Sequence, residues 1–377
     1  MFKNGINAKF DDTAELTAKI TDRPEMLHDG DLESNSPSSQ EYRGVDITFQ
    51  DVSVAIKKKK ILDEATGYMR RGSLTALMGP SGSGKTTLVD CLTFRKNTGI
   101  RTGTILYEGQ KPTQMFLRHA VAYVQQEDSL IDNLTVVETM RYNLDLITGG
   151  RWTKKDEDER VESVLLQLAL DGCRNVVVGN AFRRGISGGQ RKRLNIAINL
   201  LRHPCVLVLD EPTSGLDSYT AFEVISAVKT LSAAGLTVLS TIHAPSTSIF
   251  HLFDRLMVIL DGRMVYAGDV QSEHICEFFR GCELVGKIAD DSADGSCWQV
   301  DRNAADWLTA IAVQTSRLNQ SDKLGQYYTE SNQKRSVDEH IEELLKMHGK
   351  EEASALLATI DASSFLQRTG TSWKTGN

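Results

Sequence analysis

Between an apolar run, Ser73-Leu74-Thr75-Ala76-Leu77-Met78, and the stretch Thr86-Thr87-Leu88-Val89-Asp90-Cys91-Leu92, the chain carries Gly79-Pro80-Ser81-Gly82-Ser83-Gly84-Lys85-Thr86. Its glycines free the backbone for conformations that side chains resist, so a strand is expected to turn here directly into a helix. Such a turn aims consecutive backbone N–H groups at one point, and the helix start adds partial positive charge. The result is a cradle for an anion. The pattern GxxxxGK[ST] in this context assigns Gly79, Pro80, Ser81, Gly82, Ser83, Gly84, Lys85, Thr86 and Thr87 to a nucleotide's phosphates. Lys85 is expected to reach the β- and γ-phosphates and the Thr86 hydroxyl to ligate Mg²⁺, while Thr87 caps or packs beside them.

A loop of this kind needs a sheet behind it. Apolar runs recur at Ala120 to Val124, Val206 to Leu209, Thr237 to Ile242 and Arg255 to Leu260, separated by helical stretches. Buried strands alternating with helices predict an α/β fold with a mostly parallel sheet. Between Gln125 and Pro204 the pattern is mainly helical, which reads as an insertion. Upstream, Val45 to Phe49, Ser53 to Ile56 and Ile61-Leu62 predict a hairpin whose solvated tip is the run Lys57 to Lys60.

Composition narrows the function classes. The chain has 377 residues, 40% of them hydrophobic, and a formal charge of −7, which argues against a surface built to neutralise nucleic-acid phosphates. Its longest apolar runs are about five residues, far short of a membrane span. The start, Met1-Phe2-Lys3-Asn4-Gly5, turns polar at once, so no leader is expected. Six cysteines (Cys91, Cys173, Cys205, Cys276, Cys282 and Cys297) lack CxxC spacing and read as reduced and structural. Residues 1–43, rich in Asp, Glu, Ser and Asn, read as a disordered tail.

The run Val206-Leu207-Val208-Leu209-Asp210-Glu211 ends a buried strand in two carboxylates, the place where ligands bind in open α/β sheets. Asp210 is expected to hold Mg²⁺, directly or through water, and Glu211 to polarise an attacking water. Ile186-Ser187-Gly188-Gly189-Gln190, followed by Arg191-Lys192-Arg193, places a serine and two glycines at a helix start, a second anion site.

With the phosphate loop and the paired carboxylates, this segment resembles the signature of the ATP-binding cassette (ABC) ATPases, with Ile for Leu. The resemblance implies a P-loop cassette with a RecA-like, mostly parallel core, an antiparallel β subdomain and a helical subdomain at about 126–204. It implies that Ser187, Gly188, Gly189 and Gln190 face the γ-phosphate held by a second cassette, so that a head-to-tail dimer, homomeric or heteromeric, completes each site. Gln126 resembles the Q-loop glutamine that senses Mg²⁺ and couples to a transport domain, with Gln125 as the rival. Ser214-Gly215-Leu216-Asp217 resembles the D-loop, and His243 the switch histidine at the γ-phosphate.

The spellings RGISGGQRKR from Arg184, DEPTSGLDS from Asp210 and LTVVET from Leu134, with the run from His243 to Gly268, are similar to the G subfamily, the White and pleiotropic-drug-resistance type. There the cassette precedes the membrane domain. The likeness runs from about Val45 to Glu283; Asn303 to Leu308 looks like that subfamily's linker motif with Ala for Pro. The implied plan is a tail at 1–43, a cassette at 44–285, and at 286–377 a linker and amphipathic helices leading to a transmembrane domain. One helix is expected from Ser336 through Val337, Ile341, Leu344 and Leu345, and a second from Ser363 to Trp373. His340 and His348 are read as lying on a solvated face.

No aromatic between Ser53 and Lys57 is placed to stack a base; Phe49 and Tyr68 are the nearby candidates and read as core. The preference for ATP therefore follows from the family. The expected function is an ATP- and Mg²⁺-dependent motor at the cytosolic face of a membrane, exporting a lipid, sterol or xenobiotic-like substrate. The alternative is a free regulatory or nucleic-acid- or translation-associated ABC ATPase. Against the latter stand the acidic charge, the single cassette, and the lack of sustained heptads between Lys85 and Ser187.

Overall fold

A computed structural model describes residues 42–57, 59–96, 98–180, 182–290 and 304–347. Alternating β-branched and polar residues build a first sheet from β1 (Ile47–Ile56), β2 (Lys59–Met69) and β4 (Ile100–Tyr107), antiparallel in the order β2-β1-β4. Ile56 pairs with Lys59, so strand pairing takes in Lys59 and Lys60 and the hairpin tip is shorter than the four-lysine turn expected. At Asp51 the chain takes φ 52°, the register shifts, and the Asp51 N–H donates to Thr66 Oγ1 at 3.0 Å. This bulge is why the sequence reads as two short runs rather than one strand.

The second sheet contains β3 (Leu74–Met78), β5 (Val121–Val124), β6 (Val206–Asp210), β7 (Thr237–Thr241), β8 (Arg255–Leu260) and β9 (Arg263–Asp269), ordered β5-β6-β7-β3-β8-β9. All neighbours are parallel except β8 and β9. Burial on both faces explains the unbroken apolar runs. Successive residues go to opposite cores: Leu74, Ala76 and Met78 to one, Leu77 to the other; Leu207 and Leu209 to the first, Val206 and Val208 to the second. The edge strand β9 is absent from the expected strands, although Asp261-Gly262 signals its hairpin. Leu260 pairs with Arg263 while Asp261 and Gly262 take φ 46° and 85°, the two positive values of the tight turn that matches strand twist.

Helices cover both faces. α1 (Lys85–Leu92) follows β3, and α2 (Gln114–Ala120) precedes β5. The helical block comprises α3 (Val136–Thr148), α4 (Lys154–Gln167) and α5 (Gly188–Leu200); Thr135 and Glu138 form a capping box on α3, and Thr153 caps α4. α6 (Ser218–Ala233) and the single turn α7 (Thr247–Phe250) flank β7. The tail boundary read from the sequence falls just past a packed residue: Tyr42 is buried, its N–H donates to the Ala234 carbonyl and its hydroxyl to Gln167 Oε1, both at 2.8 Å.

The C-terminal part continues as α8 (Ser272–Arg280), α9 (Glu283–Asp290), α10 (Ala304–Arg317), α11 (Ser321–Glu330) and α12 (Asn332–Met347). α12 starts four residues before the expected Ser336 and buries Val337, Ile341 and Leu344. It turns back onto β2 and β9, where the His340 ring stacks on Tyr68 at 5.6 Å and 14°. His340 therefore does not stand on a solvated face, because the apolar stripe of α12 needs the sheet to cover it. Residues 1–41, Cys297, Asn303, His348 and the helix expected from Ser363 lie outside the described residues. Among those described, no helix is long and apolar enough to cross a membrane.

His203 follows α5 with φ 52°. Burial, and beside it the Arg160 guanidinium, push its imidazole pKa down to about 3. The depressed value favours the neutral ring in the fold, so its contribution is intact above the unfolded pKa near 6.5 and is lost as pH falls from there toward 3. His203→Asn tolerates the left-handed backbone and should lose about 2 kcal/mol less stability than the parent between pH 7 and 5. Urea midpoints at the two pH values check this, and parallel losses would remove His203 from the explanation.

Candidate nucleotide site

From the end of β3 the chain passes through Gly79 at φ 151°, Gly82 at 80° and Gly84 at 106° before α1 begins. At Gly79 the requirement is steric as well. A Cβ there would lie 2.2 Å from the Ile259 carbonyl oxygen on β8 and 2.7 Å from Ser83 Oγ. The loop is thus pressed against the sheet, with Ser81 and Gly82 exposed at its crest and Pro80 partly covered. Lys85 is buried and arches beneath it, its ammonium donating to the carbonyls of Gly79 at 2.9 Å and Pro80 at 3.1 Å. Burial pushes the Lys85 pKa down, and the charges of Glu211 and Asp210 oppose that shift. The two carboxylates are thus near enough for the Lys85 cation to feel their charge. Thr86 is exposed and Thr87 half-buried.

Asp210 ends β6, and both its oxygens are claimed by hydroxyls from neighbouring strands. Tyr123 on β5 donates to Oδ2 at 2.9 Å, and Thr241 on β7 donates to Oδ1 at 2.7 Å. Burial, then the Asp210 charge, raises the Tyr123 pKa, so its phenol remains a donor. The next residue, Glu211, takes φ 47° and donates its N–H to Thr241 Oγ1 at 2.8 Å. That left-handed step turns two consecutive carboxylates to different tasks. Gln126 donates from Nε2 to Glu211 Oε2 at 3.0 Å and to Ser214 Oγ at 3.5 Å. Of the two glutamines left open by the sequence, Gln126 is the one that reaches Glu211. His243 stands exposed just beyond β7, and among the described residues it makes no hydrogen bond to Asp210, Glu211 or Gln126.

Ser187 caps α5. Its Oγ accepts from Gln190 N–H at 3.2 Å, and Gln190 Oε1 accepts from Ser187 N–H at 2.9 Å. The Gln190 side chain is thus engaged in a capping box. Gly189 lets α5 meet α6 closely, since a Cβ there would lie 2.2 Å from Thr220 Cγ2. The same Thr220 donates its hydroxyl to Asp217 Oδ2 at 2.6 Å, while Asp217 Oδ1 accepts from the N–H groups of Tyr219 and Thr220. The Thr220 hydroxyl, followed by these N–H groups, holds the Asp217 carboxyl below its usual range. Ser187 and Gly188 are exposed, and the capping bonds of the turn stay within it.

The residues fit a magnesium nucleotide. Ser83 Oγ is buried inside the loop with no hydrogen-bond partner among the described residues, and the Thr86 hydroxyl, Asp210 carboxylate and Gln126 amide are the hard oxygen donors that Mg²⁺ prefers. Among the described residues no group of three His, Cys, Asp or Glu side chains gathers to hold a metal. Phe49 and Tyr68 are both buried, Tyr68 beneath the Arg255 guanidinium at 4.0 Å, and so belong to the core, as read from the sequence. Sequence reasoning missed Tyr123 and Thr241, which only strand register brings to Asp210.

Residues 62–214 match the family model described as ABC transporter. The chain is 42% identical over 239 residues to ABC transporter G family member 11 of Arabidopsis thaliana, covering 62% of this chain and 33% of that protein. It is 39% identical over 322 residues to ABC transporter G family member 22 of Dictyostelium discoideum, covering 83% and 51%. Against ABC transporter G family member 21 of Arabidopsis thaliana the figures are 37% over 272 residues, 67% and 40%. The chain thus spans a third to a half of these relatives' lengths.

Gly79→Ala tests the loop. The added methyl meets the Ile259 carbonyl and a φ that L residues avoid, so a loss of about 1–3 kcal/mol in stability is expected, together with at least tenfold weaker ATP binding. Calorimetric titration with ATP and a urea melt read the two effects separately.

Proposed function

The chain carries the ATP-binding, ATP-hydrolysing cassette of the ABC transporter family, and from that premise we propose that it is the motor of a G-type exporter for a lipid, sterol or xenobiotic-like substrate. The observation that carries this reading is the glycine loop closed over the Lys85 ammonium, with Asp210 held at the end of β6 by Tyr123 and Thr241 and Glu211 beside it held by Gln126. In this reading the backbone of Gly79, Pro80, Ser81, Gly82, Ser83 and Gly84 cradles the phosphates, and Lys85 holds the β- and γ-oxygens. Thr86, Gln126 and Asp210 hold Mg²⁺, which when bound supplies charge neutralisation at those oxygens.

Tyr123 and Thr241 keep Asp210 aimed. Glu211, steadied by Gln126, orients a water and draws its proton, and His243 contacts the γ-phosphate. Ser187, Gly188, Gly189 and Gln190 complete the site of a second cassette, with Asp217 holding the adjoining turn. Support for that head-to-tail arrangement comes from the exposed, capped start of α5. The membrane partner, on the same full-length chain, is proposed from the greater length of the relatives, and it places the cassette at the cytosolic face of a membrane.

Glu211→Gln should lower turnover at least about a hundredfold while ATP binding persists, and sedimentation of that variant with Mg-ATP should show dimers. Unchanged turnover would remove Glu211 from its role; a variant that binds Mg-ATP yet stays monomeric would contradict the paired cassette. Lys85→Ala should weaken ATP binding at least tenfold, and parent-like affinity would overturn the phosphate-loop assignment.

A further inference from the structure

We propose that Lys192 is a positioning residue that ties the signature helix α5 to Gln126 and through it to Glu211, an inference that rests on the role given to Glu211 above. Lys192 lies one turn beyond the Ser187 cap and is 6% exposed. Its ammonium donates to the backbone carbonyl of Gln126 and to Asp128 Oδ1 at 3.0 Å. Asn195, next along the same face of α5, donates to that same Oδ1 at 2.9 Å. The helix therefore grips the loop after β5 at two points, the carbonyl of Gln126 and the carboxylate of Asp128.

An ammonium this deeply covered is costly unless its donors are satisfied, and here a carbonyl and a carboxylate satisfy it. The carbonyl belongs to the residue whose side chain holds Glu211 Oε2 at 3.0 Å. A continuous path then runs inside one cassette, from the Ser187 turn along α5 to Lys192, across to the Gln126 backbone, and out along the Gln126 amide to the catalytic carboxylate. A shift of α5 when its N-terminal turn engages an anion moves the Gln126 backbone and changes the hold on Glu211. Asn195 gives the segment a second attachment to α5 through Asp128, while the Lys192 contact reaches Gln126 itself.

The test uses the full chain and a set of substitutions. Lys192→Met keeps the stem but removes the donors; kcat should fall about tenfold or more, while ATP affinity measured in EDTA stays at the parent value. Lys192→Arg restores a charged donor and should recover most of the rate. Gln126→Ala should lower kcat by itself, and adding Lys192→Met to it should cost little more, because both act through one contact. Losses that multiply in the double variant would overturn the relay, as would a lowered melting temperature with kcat intact. If Lys192→Met does not fold, Asp128→Asn combined with Gln126→Ala runs the same cycle with a milder change, and non-additivity is again the expected result. A silent Lys192→Met beside an inactive Glu211→Gln overturns the relay alone, whereas an active Glu211→Gln overturns the reading beneath it.

Discussion

Asp210 stands half-buried at the end of a strand whose other residues are buried, and two neighbouring strands supply hydroxyls to its two oxygens. The rest of the structure depends on that arrangement. Tyr123 and Thr241 can meet Asp210 only if β5, β6 and β7 are adjacent and parallel in one register, Asp210 opposite Thr241 and Val124 opposite Leu209. The same register carries Glu211 N–H to Thr241 Oγ1, so one threonine sets both carboxylates. Charge-assisted hydrogen bonds of this kind are stronger and more directional than neutral ones.

The phosphate loop answers to the other half of the sheet. β3 lies between β7 and β8, which places Gly79 against Ile259 of β8, and Lys85 reaches back to the loop's own carbonyls. Close approach of backbone to backbone makes glycine obligatory at Gly79. At Gly189 the constraint is different: two helices, α5 and α6, touch there, and Thr220 joins the capped turn of each.

The far edge of the sheet is protected by the chain's own C-terminal segment. β9 would present an unpaired edge, a liability in an isolated sheet, and α11 and α12 pack against it. Ser316 and Ser321 donate to the carboxylate of Asp261 in the β8-β9 turn, and Arg263 bridges Asp63 and Asp322. The stack of His340 on Tyr68, with Arg255 against the ring, ties α12 to both sheets.

Much of this was legible in the residues. The five parallel strands were visible because two-sided burial demands unbroken apolar runs, and the glycine loop because its turn admits few other residues. The helical insertion followed from periodicity, and the caps at Ser187 and Asp217 sit at the motif positions themselves. These signals are local, each completed within one or two turns of chain. Asp261-Gly262 was equally local and would have revealed β9.

What the tertiary structure decided is the meeting of residues distant in sequence. The Tyr123 and Thr241 hydroxyls at Asp210, Gln126 rather than Gln125 at Glu211, and Lys192 against the Gln126 carbonyl all depend on strand order and helix docking. So does the return of α12 onto β2 and β9, since an apolar stripe of Val337, Ile341 and Leu344 shows that something must cover it but not what. Local chemistry determines which element forms; only packing brings two such elements within hydrogen-bonding distance.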